Sequence, residues 1–168
     1  GGAGFIGSHI ADGFLSQGHE VVIIDDLSTG QIENVNPQAR FYLMDIQSRE
    51  VKKLFELEKF DILCHQAAQM DIRKSVKNPV YDAQINILGT LNLLQNGVTH
   101  HVKKVIFSST GGAVYGEQET FPCSEEHPLR PISPYSTGKL FVEKYLYYYA
   151  SEFRVNYAIL RYANVYGP

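Results

Sequence analysis

The first seven residues form a glycine-rich turn, which is the strongest constraint on what this chain can fold into. Gly1, Gly4 and Gly7 are spaced three residues apart, directly before a stretch of helical character. Glycines at this spacing permit a tight turn, close approach of the backbone to a phosphate and close packing of a helix on a strand. The following helix would point its first N–H groups, at Phe5 and Ile6, toward a pyrophosphate. We therefore expect a dinucleotide-binding turn.

Short apolar runs alternate with helical stretches along the rest of the chain. The runs are continuous rather than alternating, which predicts parallel strands covered on both faces. Predicted strands are residues 21–24, 40–44, 62–64, 105–107 and 157–160, and predicted helices are 6–17, 48–58, 80–98 and 135–153. This order predicts an α/β fold with a doubly wound parallel sheet, the Rossmann fold. The irregular stretch at 111–134 is long enough to indicate a functional loop.

A carboxylate ends the first predicted strand. Asp25 lies 18 residues after Gly7, where an acidic side chain accepts hydrogen bonds from both hydroxyls of an adenosine ribose. The charge would repel a 2′-phosphate, and no arginine stands nearby to neutralise one. The sequence therefore favours NAD over NADP as the cofactor. The alternative interpretation is that Asp25 and Asp26 simply open an ordinary turn.

The two ends of the chain lie at unusual places for this fold. The glycine fingerprint follows a buried strand, which is central in the strand order 3-2-1-4-5-6. We therefore expect that residues 1–168 are an NAD-binding Rossmann domain truncated at both ends. Its first strand would be missing from between the strands at 21–24 and 62–64. A C-terminal substrate-binding domain is expected beyond residue 168.

Tyr135 and Lys139 are four residues apart, so a phenol and an ammonium share one helical face. Free tyrosine has a pKa of about 10. A cation ~4 Å away, at an effective dielectric constant of about 20, offers roughly 4 kcal/mol, or about three pKa units. We expect Lys139, helped by an oxidised nicotinamide, to lower the pKa of Tyr135 to about 7, where the phenol can act as a general base. An isolated pair of this kind is more often a surface feature, but this pair follows a nucleotide-binding half.

Three hydroxyl residues, Ser108, Ser109 and Thr110, end the strand predicted at 105–107. A hydroxyl at the carboxyl end of a strand faces the ligand crevice of an open α/β sheet. Such a group can bridge a substrate oxygen to Tyr135. Thr110 is the first candidate for this catalytic role and Ser109 the second. Capping of the strand end is a sufficient explanation for at least one of the three.

Several longer strings resemble the extended branch of the short-chain dehydrogenase/reductase superfamily, in particular the NAD-dependent epimerase/dehydratase family and its UDP-glucose 4-epimerases. The resemblance covers essentially the whole chain. It rests on Gly-Gly-Ala-Gly-Phe-Ile-Gly-Ser-His at 1–9, Asp-Asp-Leu-Ser-Thr-Gly at 25–30, His-Gln-Ala-Ala-Gln at 65–69, Asn-Ile-Leu-Gly-Thr at 86–90, Ser-Ser-Thr-Gly-Gly-Ala-Val-Tyr-Gly at 108–116, Ser-Pro-Tyr at 133–135 and Arg-Tyr-Ala-Asn-Val-Tyr-Gly-Pro at 161–168. It implies epimerisation at carbon 4 of a UDP-hexose (UDP-glucose or UDP-galactose) by transient hydride transfer to bound NAD.

The resemblance also implies roles for individual residues. Asp45 and Ile46 would flank the adenine, and Lys139 would also bind the nicotinamide ribose. Thr110 and Asn164 would contact the nucleotide sugar. The other implied cofactor-binding residues are Gln66, Ala67 and Ala68 along the strand at 62–64, Asn86 as a structural or water-relay residue, Ser108, Tyr135, and Tyr162 near the nicotinamide.

Two departures from the family pattern bear on which of the family's activities the chain could have. Met70 stands where some epimerases place a lysine on the cofactor phosphates, and Gly111 with Gly112 lengthens the turn after Thr110 by one residue. Dehydratase relatives place Asp-Glu directly after the active-site threonine. The two glycines therefore argue against a 4,6-dehydratase, but another nucleotide-sugar epimerase, a decarboxylase and a non-catalytic NAD sensor stay open.

Composition limits the partners. The net charge is −3 without a Lys/Arg cluster, which offers no surface to a nucleic acid or an anionic membrane. No apolar run reaches the roughly 20 residues of a bilayer span. Cys64 and Cys123 are too few for a disulfide framework and lack metal-ligand spacing, so we expect a cytoplasmic protein without a metal. The resemblance suggests a homodimer through the helices at 80–98 and 135–153, where tyrosines are frequent.

Overall fold

The computed structural model describes residues Gly1–Pro168 and consists of five short strands and six α-helices. The strands are β1 (Val22–Asp25), β2 (Arg40–Leu43), β3 (Ile62–His65), β4 (Lys104–Thr110) and β5 (Asn156–Tyr162). The helices are α1 (Phe5–Ser16), α2 (Val51–Glu58), α3 (Ile72–Lys77), α4 (Pro79–Ala83), α5 (Thr90–Thr99) and α6 (Pro134–Phe153), and a π-helical turn (Gln84–Gly89) joins α4 to α5. The predicted α/β fold is confirmed.

All strand pairs are parallel, and they form two sheets. β1 pairs with β2, while β4 lies between β3 and β5. A groove of about 570 Å³ separates β1 from β3 and is lined by both strands and by the glycine turn. The pairing within each sheet agrees with the predicted strand order 3-2-1-4-5-6. The carboxyl ends of β4 and β5 are level, because Thr110 pairs with Tyr162.

The main hydrophobic core joins β4 to the helices α2, α5 and α6. Phe107 of β4, Phe55 of α2 and Leu146 of α6 are almost completely buried and belong to one cluster. Burying side chains of this size contributes about 1.5–3 kcal/mol each. The core therefore fixes α6 against β4, and with it the residues that both elements present at their ends.

The helix predicted at 80–98 is present as one continuous helical segment, but its winding is not regular. Its π-helical turn carries one residue more per turn than an α-helix, and the buried Asn86 lies within it. α3 was not predicted, because its six residues are too few to show a hydrophobic period. The sequence signal for the start of α3 is its N-cap residue, Asp71. The Asp71 carboxylate accepts hydrogen bonds from the N–H groups of Arg73 and Lys74.

The fold shows neither a helix suited to a membrane nor a cluster of metal-ligating side chains. None of the helices combines the length and the apolar character needed to cross a lipid bilayer. Histidine, cysteine and acidic side chains nowhere cluster in threes at positions that could hold a metal ion.

Candidate functional site

The glycine turn packs backbone against backbone at the start of α1. A β-carbon built on Gly1 would lie 2.3 Å from the nitrogen of Ala67, and one on Gly7 would lie 2.0 Å from the carbonyl oxygen of Gly1. Both distances are far shorter than any contact between non-bonded atoms, so only glycine fits at these two positions. Gly4, the N-cap of α1, provides no side-chain cap. The first N–H groups of the helix, beginning at Phe5, are thus free of side-chain partners, as a phosphate-binding helix start requires.

The two acidic residues after β1 have different surroundings. Asp25 is buried; its carboxylate accepts hydrogen bonds from the N–H of Ala3 at 3.0 Å and of Leu27 at 2.9 Å. It therefore braces the glycine turn at the carboxyl end of β1. Asp26 is exposed and accepts from both the N–H and the hydroxyl of Ser28. Both carboxylates accept from the N–H two residues on, as in an ordinary turn, but only Asp25 is buried and also bound to the glycine turn.

The segment from Pro134 brings Tyr135 and Lys139 to the end of β4. A capping box between Ser133 and Ser136 starts α6, and it places Tyr135 in the first turn. Lys139 is buried and donates from Nζ to the carbonyl oxygen of Ser108 at 2.7 Å. The same nitrogen lies 5.8 Å from the centre of the Tyr135 ring. The two side chains therefore meet at the carboxyl edge of the sheet.

Burial dominates the ionisation of this pair. It lowers the pKa of Lys139 to about 8, and the negative charge of Asp82 opposes that shift. For Tyr135, burial raises the pKa and Asp82 raises it further. The expected lowering of the Tyr135 pKa, which included a positive nicotinamide beside the phenol, stays a prediction; without that charge, burial and Asp82 both disfavour the phenolate. A more acidic phenol needs a further positive charge at the site.

The three hydroxyl residues of β4 do not have equal access to the crevice. Ser108 is buried and its hydroxyl donates to Gln66 Oε1 at 2.6 Å. Ser109 is also buried, and its hydroxyl donates to Glu143 Oε1 at 2.5 Å. Thr110 is the least buried of the three and ends the strand. The side chains of Ser108 and Ser109 are thus used in packing β4, and Thr110 is the hydroxyl nearest to solvent.

A buried ion pair, which sequence reasoning missed, lies behind these residues. Glu143 of α6 binds Arg161 of β5 through two hydrogen bonds, of 3.1 and 2.7 Å. Arg161 also donates to the phenol oxygen of Tyr115 at 2.9 Å, within the loop after β4. The network ties α6, β5 and this loop together. One signal was present in the sequence: Glu143 follows Lys139 by four residues and therefore shares its helical face.

Asn86 and Asp82 form a second missed network around the loop that follows β3. The side chain of Asn86 accepts from the N–H of Gln69 at 2.9 Å and donates to its carbonyl oxygen at 2.8 Å. The amide of Gln69 in turn donates to Asp82 Oδ1 at 2.8 Å. Asn86 therefore has a structural contact on the loop, one of the two roles expected of it.

The remaining predicted residues lie in four kinds of surroundings. Ala67 contacts the glycine turn, as described, and Ala68 follows it. Tyr162 ends β5, and its carbonyl oxygen accepts from the N–H of Gly111 at 2.6 Å. The exposed residues are Asp45, Asn164 and Met70, and the side chain of Ile46 lies in the hydrophobic core. With the exception of Ile46, the predicted side chains surround the carboxyl edge of the two sheets.

Comparison with known proteins agrees with this arrangement. A profile of the NAD dependent epimerase/dehydratase family matches residues 1–168. The chain belongs to this family. Its recognition from sequence motifs is therefore confirmed.

Individual relatives share both sequence and structure with the chain. A UDP-glucose 4-epimerase of Mycolicibacterium smegmatis is 39% identical over 100% of this chain and 55% of its own length. The crystal structure of a Thermotoga maritima UDP-glucose 4-epimerase with UDP-glucose has 46% identity and a TM-score of 0.98, over 100% of this chain and 55% of that one. A Thermus thermophilus UDP-glucose 4-epimerase in complex with NAD has 44% identity and a TM-score of 0.97, over the same shares. The chain thus spans about half the length of these relatives.

Proposed function

We propose that this chain is the cofactor-binding half of an NAD-dependent UDP-hexose 4-epimerase. The observation that carries the proposal is the position of Lys139, which is buried and donates to the Ser108 carbonyl oxygen. This contact holds the lysine beside Tyr135 at the edge of the sheet where the glycine turn and Asp25 also lie. The similarity to UDP-glucose 4-epimerases, with UDP-glucose or NAD in two of their structures, supports the same function.

The residues at the carboxyl edge fit NAD. The glycine turn leaves no room for a β-carbon at Gly1 or Gly7, so backbone can approach a pyrophosphate. The start of α1 would bind that group, and Asp25 would accept bonds from the adenosine ribose. We expect Gln66, Ala67, Ala68 and Tyr162 to line the cofactor between the glycine turn and the Tyr135–Lys139 pair. When bound, NAD would supply reversible oxidation of carbon 4 of the sugar and a positive ring beside the phenol.

The chain's own residues account for the proton transfer. Tyr135 would accept the proton of the 4-hydroxyl, either directly or through Thr110, and return it when the 4-keto sugar is reduced from its opposite face. The ammonium of Lys139 stabilises a phenolate, and its bond to Ser108 fixes its position. Thr110 fits the bridging role better than Ser109, because the Ser109 hydroxyl is bound to Glu143. Binding contacts with the nucleotide and with most of the sugar would come from a substrate domain beyond residue 168, with Asn164 at its border.

The test uses the complete protein that contains this chain, incubated with UDP-galactose and NAD, with the products separated by chromatography. We expect UDP-glucose without net formation of NADH, because the cofactor is regenerated in each turnover. A 4-keto-6-deoxy sugar would instead establish a dehydratase. Binding of NAD without any turnover would establish a cofactor sensor and contradict the proposal.

We also propose that the complete protein is a homodimer through α4, the π-helical turn and α6. These packed elements expose seven large apolar side chains: Val80, Tyr81, Leu88, Phe141, Tyr147, Tyr148 and Phe153. Aromatic side chains of this kind are enriched in protein interfaces. Large apolar side chains that lie exposed on neighbouring elements commonly mark interaction surfaces.

Sedimentation velocity tests the dimer. The complete protein should sediment as a dimer, and Tyr147→Glu should shift it toward the monomer, because a buried charge without a partner opposes association. Leu57→Glu, on α2 and equally exposed at 70% against 69%, is the matched control and should stay dimeric. A monomeric unsubstituted protein at micromolar concentration would contradict this proposal.

A further inference from the structure

Asp82 is a buried carboxylate that the proposed mechanism does not use. It is 1% exposed, on the short helix α4. One of its oxygens, Oδ1, accepts from Gln69 Nε2 at 2.8 Å. The other oxygen faces α6, since a β-carbon built on Gly138 would lie 3.7 Å from Oδ2. The charge is thus held between the loop after β3 and the helix that carries Tyr135 and Lys139.

Asp82 acts on both members of the pair. Gly138 directly precedes Lys139 and follows Tyr135 by three residues, so the carboxylate lies beside the first turns of α6. Its charge raises the pKa of Lys139 against the effect of burial, and it raises the pKa of Tyr135 in addition to burial. Apart from burial, Asp82 is the only group that shifts either of them.

Other charged groups near Asp82 do not compete with it. On α3 the cations Arg73, Lys74 and Lys77 are exposed, and neither the π-helical turn nor α5 carries an ionisable side chain. Glu143 of α6 is paired with Arg161. His65 of β3 faces Lys139, but burial and that lysine hold its pKa well below the ordinary value, so it stays neutral. Asp82 is therefore a buried carboxylate without an ion-pair partner, next to the helix that carries the pair.

We propose that Asp82 is a positioning residue that keeps the buried Lys139 ammonium charged and sets the pH range in which the Tyr135–Lys139 pair works. This inference rests on the proposed function for its kinetic consequence. The effect of the Asp82 charge on Tyr135 and Lys139 does not depend on turnover, because the contacts of Asp82 with Gln69 and α6 exist in the chain itself. Gln69 is the structural link, since it is bound by Asp82 on one side and by Asn86 on the other.

The decisive variant is Asp82→Asn in the complete protein, which removes the charge and keeps the shape. Without the negative charge, the pKa of the phenol and that of the ammonium both fall. The acidic limb of the kcat/KM–pH profile reports Tyr135 and the basic limb reports Lys139, so both limbs should move to lower pH, each by about one unit. A role confined to packing would lower kcat at every pH and leave both limbs in place.

Two controls separate charge from contact. Gln69→Ala breaks the link to the loop but keeps the carboxylate, and its limbs should stay within a few tenths of a unit of the unsubstituted profile. Asp61→Asn removes an exposed carboxylate that pairs with Lys103, and it should change nothing. If Asp82→Asn does not fold, Asp82→Ser supplies a smaller neutral residue whose hydroxyl can still accept from Gln69. Unmoved limbs in a folded, neutral variant overturn the proposal.

A measurement that does not need turnover tests the role of Asp82 separately from the proposed epimerase function. Carbon-13 NMR of lysine Cε and tyrosine Cζ, with Lys139 assigned by Lys139→Arg and Tyr135 by Tyr135→Phe, follows both groups during a pH titration. Both midpoints should fall in Asp82→Asn. Absence of epimerisation by the unsubstituted protein would refute the proposed function alone, whereas unchanged midpoints would refute the role of Asp82 alone.

Discussion

Replacing Tyr135 by phenylalanine in the complete protein should lower kcat by a factor of about 10² to 10⁴ and leave NAD binding intact. That range is what general acid–base catalysis by one positioned side chain typically contributes. Phenylalanine keeps the ring and its packing in the first turn of α6 but cannot accept the proton of a sugar hydroxyl. Steady-state rates with UDP-galactose and calorimetric titration with NAD measure the two effects independently.

The control is Tyr157→Phe, which removes the hydroxyl of a tyrosine that is 37% exposed. It pairs with Val105 near the amino end of β4, at the opposite end of the strand from Thr110. This variant should retain its rate within a factor of about two, since surface changes away from special features have small effects. A Tyr135→Phe protein with near-normal turnover would contradict the assignment of the phenol as the catalytic base.

Replacing Gly7 by alanine should weaken NAD binding by about ten- to a hundredfold and lower the melting temperature. The new β-carbon would lie 2.0 Å from the Gly1 carbonyl oxygen, which is backbone and cannot rotate away. Relief of such overpacking moves the turn and costs about 1–3 kcal/mol, which corresponds to the stated loss of affinity if the turn is the binding site. Calorimetric titration and thermal denaturation check the two effects.

Gly13 provides the control on the same helix. A β-carbon there meets nothing within 4 Å. Gly13→Ala should therefore preserve NAD affinity and stabilise the protein by about 0.5–1 kcal/mol, because alanine loses less backbone freedom in a helix than glycine. Equal behaviour of the two alanine variants would show that the glycine turn is not a close backbone contact.

The parts of the site that were predicted from sequence depend on local spacing. Tyr135 and Lys139 are four residues apart in one helix, and Gly1 to Gly7 form a single turn, so their geometry follows from secondary structure alone. The strand order could be predicted as well, because continuous apolar runs separated by helices allow few topologies.

The parts that were missed depend on contacts between distant segments. Asp82 and Gln69 are 13 residues apart, and Glu143 meets Arg161 from another element. No period in the sequence signals such pairs. The rise of the Tyr135 pKa in the chain without cofactor could not be predicted for the same reason: spacing gives the distance to Lys139, but only packing gives the loss of water.

The π-helical turn has a consequence for how one continuous helical segment serves two neighbours. Each α-helical residue advances the winding by about 100°, so one surplus residue rotates everything after it by that angle. α4 can therefore direct Asp82 at α6, while α5 packs against α2. With regular α-helical winding, α5 would be rotated about the helix axis relative to α4. Either the Asp82 carboxylate or the apolar residues of α5 would then face water. The π-helical turn therefore allows one helical segment to present Asp82 to α6 and its apolar residues to the hydrophobic core.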